Sequence, residues 1–101
     1  MKLNIPQIKI EDFCRRWNVS EFSLFGSALR EDFEAGSDVD VMVVFGPGAR
    51  TTLFDMVDMR EELKEMFGRE VDLVSKRGIE SSRNPIRRKG ILESARVIYA
   101  A

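Results

Sequence analysis

The stretch GSDVDVMVVF, residues 36–45, joins a turn to an almost unbroken apolar run. Glycine and serine are typical turn residues, and the valine-rich run 41–45 is typical of a central strand that is buried on both faces. Asp38 and Asp40 stand two residues apart at the mouth of this strand, so we expect their side chains on the same face. The sequence therefore predicts a strand over residues 38–45 that carries two neighbouring carboxylates at its start.

Upstream of this strand, the pattern predicts one helix and one further strand. Residues 6–17 place apolar side chains at helical spacing, with Pro6 suited to the first turn and Asn18 to the stop. Residues 22–25 are rich in aromatic side chains and alternate, which is typical of a strand that ends at Gly26.

Downstream, a second helix is predicted over residues 52–67. Thr52 and Asp55 form a capping-box pattern, and Gly68 stands where a C-cap belongs. One face of this helix is expected to carry its apolar side chains, Leu53, Met56, Val57, Leu63 and Phe67. The remaining predicted elements are a strand over residues 70–75, a last helix from Pro85 that carries Ile86, Ile91 and Leu92, and a short edge strand over residues 96–99. Because helices alternate with strands, we expect one α/β (α+β) domain over residues 1–101, with helices packed on a mixed sheet.

Length and composition narrow the classes of function. A chain of 101 residues suffices for one domain. Sixteen basic and seventeen acidic residues give a net charge of −1, so no global field favours nucleic acid. A single cysteine, Cys14, suits a reducing compartment, and no run approaches the roughly 20 apolar residues of a membrane span. We therefore expect a cytoplasmic protein without a membrane or nucleic-acid partner.

The chain contains no histidine. Ser-His-Asp and Cys-His catalysis are thereby excluded within this chain, and the commonest zinc ligand is missing. Any acid–base or metal chemistry must depend on carboxylates, which favour hard cations such as magnesium or manganese.

The carboxylate pair is the feature that points to chemistry. Asp38 and Asp40 repel each other side by side, and a divalent cation would neutralise them. Gly26 and Ser27 offer backbone N–H groups and a hydroxyl to the phosphate oxygens of a nucleotide. Asp72 lies in an otherwise apolar strand and is the candidate for a third carboxylate.

Each of these residues also has a plain structural interpretation. Asp38 and Asp40 could be turn residues at the entry of a strand, and Asp72 could be a surface residue on an edge strand. The basic segment 76–89 could be a solvated helix face or a phosphate or partner contact. Acidic side chains of the second helix are interpreted as its solvent side, and Cys14 with Trp17 as part of the core.

This combination resembles the nucleotidyltransferase superfamily of DNA polymerase β, and more closely its minimal nucleotidyltransferase (MNT) group. The motifs that carry the resemblance are LFGS (24–27), Leu29-Arg30, GSDVDV (36–41), EVDLV (70–74) and the terminal segment 91–99. One departure is Glu31, since many members have glycine after the arginine.

The resemblance implies a polymerase β-like fold and a role for each motif position. Gly26 and Ser27 would hold the triphosphate, with Arg30 and Ser37 as further phosphate contacts. The carboxylates Asp38, Asp40 and Asp72 would be the catalytic residues and would bind two magnesium ions, with manganese as a substitute.

The activity implied is transfer of a nucleoside monophosphate, AMP from ATP, to a hydroxyl acceptor. By resemblance the acceptor is a tyrosine of a HEPN-domain toxin, for which this protein would be the antitoxin. Two alternatives stay open: a binding subunit that occludes its partner without catalysis, and the catalytic subunit of a small-molecule transferase of the aminoglycoside type. The small size leaves the oligomeric state open, with a homodimer as one option.

Overall fold

Four strands and four helices form the part of the chain that the structure describes. The computed structural model describes residues 5–26 and 38–101. In chain order these residues form α1 (Gln7–Arg16), β1 (Val19–Phe25), β2 (Val39–Phe45), α2 (Leu53–Phe67), β3 (Val71–Ser75), α3 (Lys76–Glu80), α4 (Pro85–Ser94) and β4 (Arg96–Ala100).

The four strands form one mixed sheet with the order β3-β2-β1-β4. β2 pairs with β1 in antiparallel and with β3 in parallel fashion, while β4 pairs antiparallel with β1. The predicted mixed sheet and the central position of the valine-rich strand are both confirmed. The strand itself begins at Val39, so Asp38 lies immediately before it.

Alternation along β2 explains why it lies in the centre. Val39, Val41 and Val43 are fully buried on one face, in a cluster with α1 and α2. Met42 points to the opposite face and packs with residues of β1, α3 and α4, namely Phe25, Ile79 and Ile91. A strand with apolar side chains on both faces is stable only between two layers, so the sheet has helices on both sides.

The second helix has the caps that its sequence predicts. The side chain of Thr52 accepts a hydrogen bond from the backbone N–H of Asp55, the carboxylate of Asp55 accepts one from the N–H of Thr52, and Gly68 ends the helix with φ 67°. Such a reciprocal cap satisfies two helix donors that otherwise lack partners.

The predicted apolar face of α2 is partly wrong. Leu63 is buried as predicted, and Met56 and Phe67 pack against the core. Leu53 and Val57, however, are 84% and 49% exposed, and Met59, outside the predicted set, is fully buried. Leu53 and Val57 continue at helical spacing into the charged residues 60 and 64, so this stripe faces away from the sheet.

The start of β1, the start of α1 and one short helix also differ from the predictions. β1 begins at Val19, because residues 19–21 pair with the far ends of β2 and β4 although they lack aromatic side chains. Pro6 is the N-cap of α1. The short helix α3 was not predicted, since Gly78 lies within it, and the side chain of Ser75 caps it by accepting from the N–H of Gly78.

The two helices on the first face are joined by polar contacts. The guanidinium of Arg16 on α1 pairs with the carboxylate of Glu62 on α2, and the indole Nε1 of Trp17 donates to the same carboxylate at 2.9 Å. In the described residues, none of the helices has the length and apolar character needed to cross a membrane.

Candidate active site

Two of the predicted carboxylates are neighbours across the sheet. Asp40 of β2 and Asp72 of β3 are direct partners in the parallel register. Partners in adjacent strands lie about 5 Å apart and project to the same face. The structure therefore brings together two carboxylates that are 32 positions apart in the sequence.

Gly26 lies against the same carboxylate from the other side. Phe25, the last residue of β1, pairs with Asp40, and Gly26 follows it with φ +62°. A Cβ atom at Gly26 would lie 2.6 Å from Oδ2 of Asp40, closer than real Cβ atoms approach a neighbour. Glycine thus avoids backbone strain at this φ, and it leaves the carboxylate of Asp40 in a position from which a Cβ atom would displace it. The sequence suggests a phosphate contact for this glycine but not its contact with Asp40.

The three predicted carboxylates lie at the amino ends of β2 and β3, where side chains reach solvent. Asp40 is half-buried, while Asp38 and Asp72 are exposed. The backbone N–H of Val39 donates to the carbonyl of Glu70 at 2.9 Å, which aligns the beginnings of β2 and β3. β3 is an edge strand, as the structural interpretation of Asp72 supposed, yet its edge position does not separate Asp72 from Asp40.

The donor set suits a hard divalent cation. Carboxylate oxygens are the protein ligands that magnesium prefers, and magnesium is usually held by one or two carboxylates together with substrate phosphates. In the described ranges 5–26 and 38–101, no three carboxylates or thiols are grouped so as to form a metal site by themselves. A pair of carboxylates that opens to solvent fits an ion that arrives with a nucleotide.

The other predicted phosphate contacts cannot be placed beside this pair. Ser27, Arg30 and Ser37 lie outside the described residues. The basic segment 76–89 forms α3 and the first half of α4, and most of its charged side chains are exposed, as expected for a solvated face.

A cleft of about 540 Å³ opens at the opposite end of the same strands. Its walls come from residues 43–46 at the end of β2, from Leu53 and Met56 of α2, and from Lys76 and Arg77 of α3. No paired carboxylates line it, so it does not offer the donor set described above.

The single thiol is unsuited to chemistry. Cys14 is fully buried in the core beside α2 and the sheet, and burial raises its pKa to about 12, with the charge of Glu11 acting in the same direction. The thiol therefore stays protonated and serves as an apolar core residue, as predicted.

The chain is similar to known sequences over most of its length. The nucleotidyltransferase domain family matches residues 7–98 of the chain. A Methanocaldococcus jannaschii protein named "Putative protein adenylyltransferase MJ0435" is 34% identical over 95 residues, which are 94% of this chain and 96% of the relative. Protein adenylyltransferase MntA of Thermococcus cleftensis is 35% identical over 71 residues, 70% of each chain.

Solved structures resemble the fold as a whole. A toxin–antitoxin complex with AMP-PNP matches with a TM-score of 0.74 at 18% identity, over 96% of this chain and 75% of the other. A complex of the tri-AMPylated Shewanella oneidensis HEPN toxin with an MNT antitoxin matches with a TM-score of 0.63 at 18% identity, over 94% and 70% of the two chains. These similarities confirm the predicted polymerase β-like fold. With the family match over residues 7–98 and relatives above 30% identity, they show that the chain belongs to the nucleotidyltransferase domain family, in its minimal (MNT) group.

Proposed function

We propose that this protein transfers AMP from ATP to a hydroxyl group of a partner protein, a HEPN-domain toxin whose antitoxin it is. The observation that carries the proposal is the pairing of Asp40 with Asp72, with Gly26 placed against Asp40. Support also comes from relatives named as protein adenylyltransferases, and from the neighbouring MNT antitoxin bound to an AMPylated HEPN toxin. The proposal treats residues 1–101 as one domain that acts in the cytoplasm.

In this proposal Asp40 and Asp72, together with Asp38 and the phosphate oxygens of the nucleotide, would hold two magnesium ions, for which manganese could substitute. When bound, such ions neutralise the charge that develops on the attacking and leaving oxygens. Because Gly26 has no side chain, the carboxylate of Asp40 keeps its position. The segment that contains Ser27, Arg30 and Ser37 contacts the triphosphate.

The reaction is a displacement at the α-phosphorus of ATP. The acceptor oxygen, a tyrosine hydroxyl in this proposal, forms a bond to this phosphorus, and the bond to the bridging oxygen breaks, so that pyrophosphate leaves. The exposed carboxylate of Asp72 is the candidate to accept the proton of the hydroxyl.

The proposal is tested by replacing Asp38 and Asp40 together with asparagine. Transfer of label from α-labelled ATP to the HEPN-domain partner, with magnesium, is expected to fall at least about 100-fold, on the scale seen when charge-stabilising groups are removed from active sites. Glu65→Gln is the matched control, because it removes an exposed carboxylate from α2, which packs on the face of the sheet opposite to Asp40. Full transfer by the double variant would show that the site assignment is wrong.

The same variant separates catalysis from the binding alternative. If transfer is lost and the partner toxin is no longer neutralised, AMP transfer is the mechanism of neutralisation. If transfer is lost and the toxin is still neutralised in cells, the chain acts by occlusion instead.

A further inference from the structure

Leu53, Phe54 and Val57, at the start of α2, form an exposed apolar surface, the α2 projection. Leu53 and Phe54 are each 84% exposed, and Val57 is 49% exposed. In the described residues these are three of the six large hydrophobic side chains that are exposed, and they fall within five consecutive positions. Scattered exposed apolar residues are ordinary, but such a cluster marks a contact surface.

The cleft described above lies beside the α2 projection. The cleft at the carboxyl ends of β2 and β3 has a volume of about 540 Å³, and Leu53 itself forms part of its wall. The exposed apolar side chains of the α2 projection therefore lie directly beside the cleft. Two copies related by a twofold axis can fill each other's cleft in this arrangement, because the same patch supplies both halves of the contact.

The charged side chains near Phe54 and in the wall of the cleft also favour a contact between two copies. On α2 the acidic residue Asp58 lies one turn beyond Phe54, on the same stripe of the helix. The wall of the cleft carries two basic side chains, Lys76 and Arg77, and one acidic side chain, Glu80. Asp58 lies beside Phe54 and Arg60 lies beyond Val57 on the neighbouring stripe, while the cleft wall has a net positive charge. A second copy that seats Phe54 in the cleft would therefore bring Asp58 towards opposite charge.

The area that a stable interface needs also favours a contact between two copies. A stable interface buries about 800 Å² on each partner, more than three side chains can supply. A twofold contact reaches this area more easily, because each copy contributes both its α2 projection and the walls of its cleft.

We propose that this protein is a twofold homodimer in which Phe54 of each copy enters the cleft of the other, while Asp58 of one copy pairs with Arg77 of the other. This surface lies at the carboxyl ends of the strands. Asp40 is three to five residues away along β2, about 10–17 Å at the rise of a strand, so the dimer leaves both carboxylate pairs open.

The first test measures the dissociation constant of the full chain by sedimentation equilibrium. Phe54→Asp is expected to raise it at least about 10-fold, as for a central aromatic anchor of an interface. Ile8→Asp is the matched control, since Ile8 is 81% exposed on α1, away from this surface, and it should leave the constant unchanged. A wild-type chain that stays monomeric throughout the concentration series, or a Phe54→Asp variant as dimeric as the wild type, would overturn the proposal.

A second test excludes effects on folding and locates the charge pair. Asp58→Arg alone and Arg77→Glu alone each place like charges across the twofold axis, so each variant should dimerise less than the wild type. An equal mixture of the two variants should recover dimers. In the mixed dimer the introduced arginine of one chain faces the introduced glutamate of the other, and the remaining Asp58 faces the remaining Arg77. Absence of recovery in the mixture would contradict this pairing.

The dimer stands independently of the proposed transferase activity. The Asp38→Asn, Asp40→Asn double variant is expected to remain as dimeric as the wild type, because neither residue lines the cleft. Loss of transfer without loss of dimers therefore tests the active site, and loss of dimers in Phe54→Asp tests the interface.

Discussion

Gly26 and Asp40 stand at adjacent strand ends, and the absence of a side chain on the glycine determines the space between them. The φ of +62° and the 2.6 Å that would separate a Cβ atom from Oδ2 of Asp40 are two separate restrictions on one position. The first concerns the backbone, and the second concerns the carboxylate that the proposed reaction needs. They can be tested apart.

The variant Gly26→Ala is expected to lose about 1–2 kcal/mol of unfolding free energy, because a Cβ atom is strained at positive φ. It should also reduce AMP transfer at least about 10-fold, since the new methyl group displaces the carboxylate of Asp40. Urea unfolding and the labelled-ATP assay measure the two effects separately.

Gly48→Ala is the matched control for that variant. Gly48 has φ +80°, but a Cβ atom there would have no neighbour within 4 Å. It should show a similar loss of stability with transfer intact. Equal losses of transfer in both variants would show that backbone strain, and not the position of Asp40, limits the activity.

Residue chemistry is the scale at which the sequence is most informative. Asp38, Asp40 and Asp72 stand out in the sequence because they are acids at the start of, or within, apolar strands, and the absence of histidine leaves carboxylates as the main chemistry. The contact between Gly26 and Asp40 could not be read in this way, because it depends on the register between β1 and β2.

Among the elements, α1 and α2 are tied through one carboxylate. Glu62 accepts from Arg16 and from the indole of Trp17, and Arg16 also contacts Asp12 at 2.8 Å. The hydrogen bond from Arg16, assisted by that from Trp17, lowers the pKa of Glu62 below its ordinary value of 4.5, although partial burial acts in the opposite direction.

This lowered pKa has a consequence for stability against pH. A carboxylate whose pKa is lower in the folded state stabilises the fold above its ordinary pKa, and the contribution is lost as pH falls through the folded value. The wild type should therefore lose unfolding free energy from about pH 5 downward, whereas Glu62→Gln should be less stable at neutral pH and show a shallower decline. Urea unfolding over a pH series from neutral to acid measures both slopes.

Glu65→Gln serves as the control on the same helix, since Glu65 is exposed. Its decline with pH should follow that of the wild type. A decline in Glu62→Gln as steep as in the wild type would mean that the contacts of this carboxylate with α1 do not stabilise the fold.

Elements with strong local signals were predicted well. The capping box of Thr52 and Asp55 and the left-handed Gly68 mark both ends of α2 from the sequence. The face that α2 buries was predicted only in part, because helical spacing alone does not show that Leu53 and Val57 lie on the exposed side. In α3 a glycine obscured a helix of five residues that Ser75 caps.

At the scale of the whole molecule, the proposed site predicts that ligand binding stabilises the fold. Magnesium with a non-hydrolysable ATP analogue is expected to raise the melting temperature of the wild type, because both bind the folded state alone. At about ten times the dissociation constant this amounts to roughly 1.4 kcal/mol, or several degrees for a domain of this size. EDTA should reverse the shift, and scanning fluorimetry measures it.

Asp72→Asn should remove most of that shift, because a neutral amide binds magnesium more weakly than a carboxylate. Glu65→Gln should keep it. Equal shifts in Asp72→Asn and the wild type would place the metal away from this pair.

The sequence by itself determined the class of fold, the valine-rich centre of the sheet and the residue types available for chemistry. These depend on side-chain polarity, spacing and caps, which act over a few neighbouring residues. Tertiary structure alone decided that Asp72 faces Asp40, that Gly26 makes room for that carboxylate, and that Leu53 lines a cleft while Phe54 is exposed. The physical reason is register and packing: both arise from pairings between distant segments, whose free energy no local pattern records.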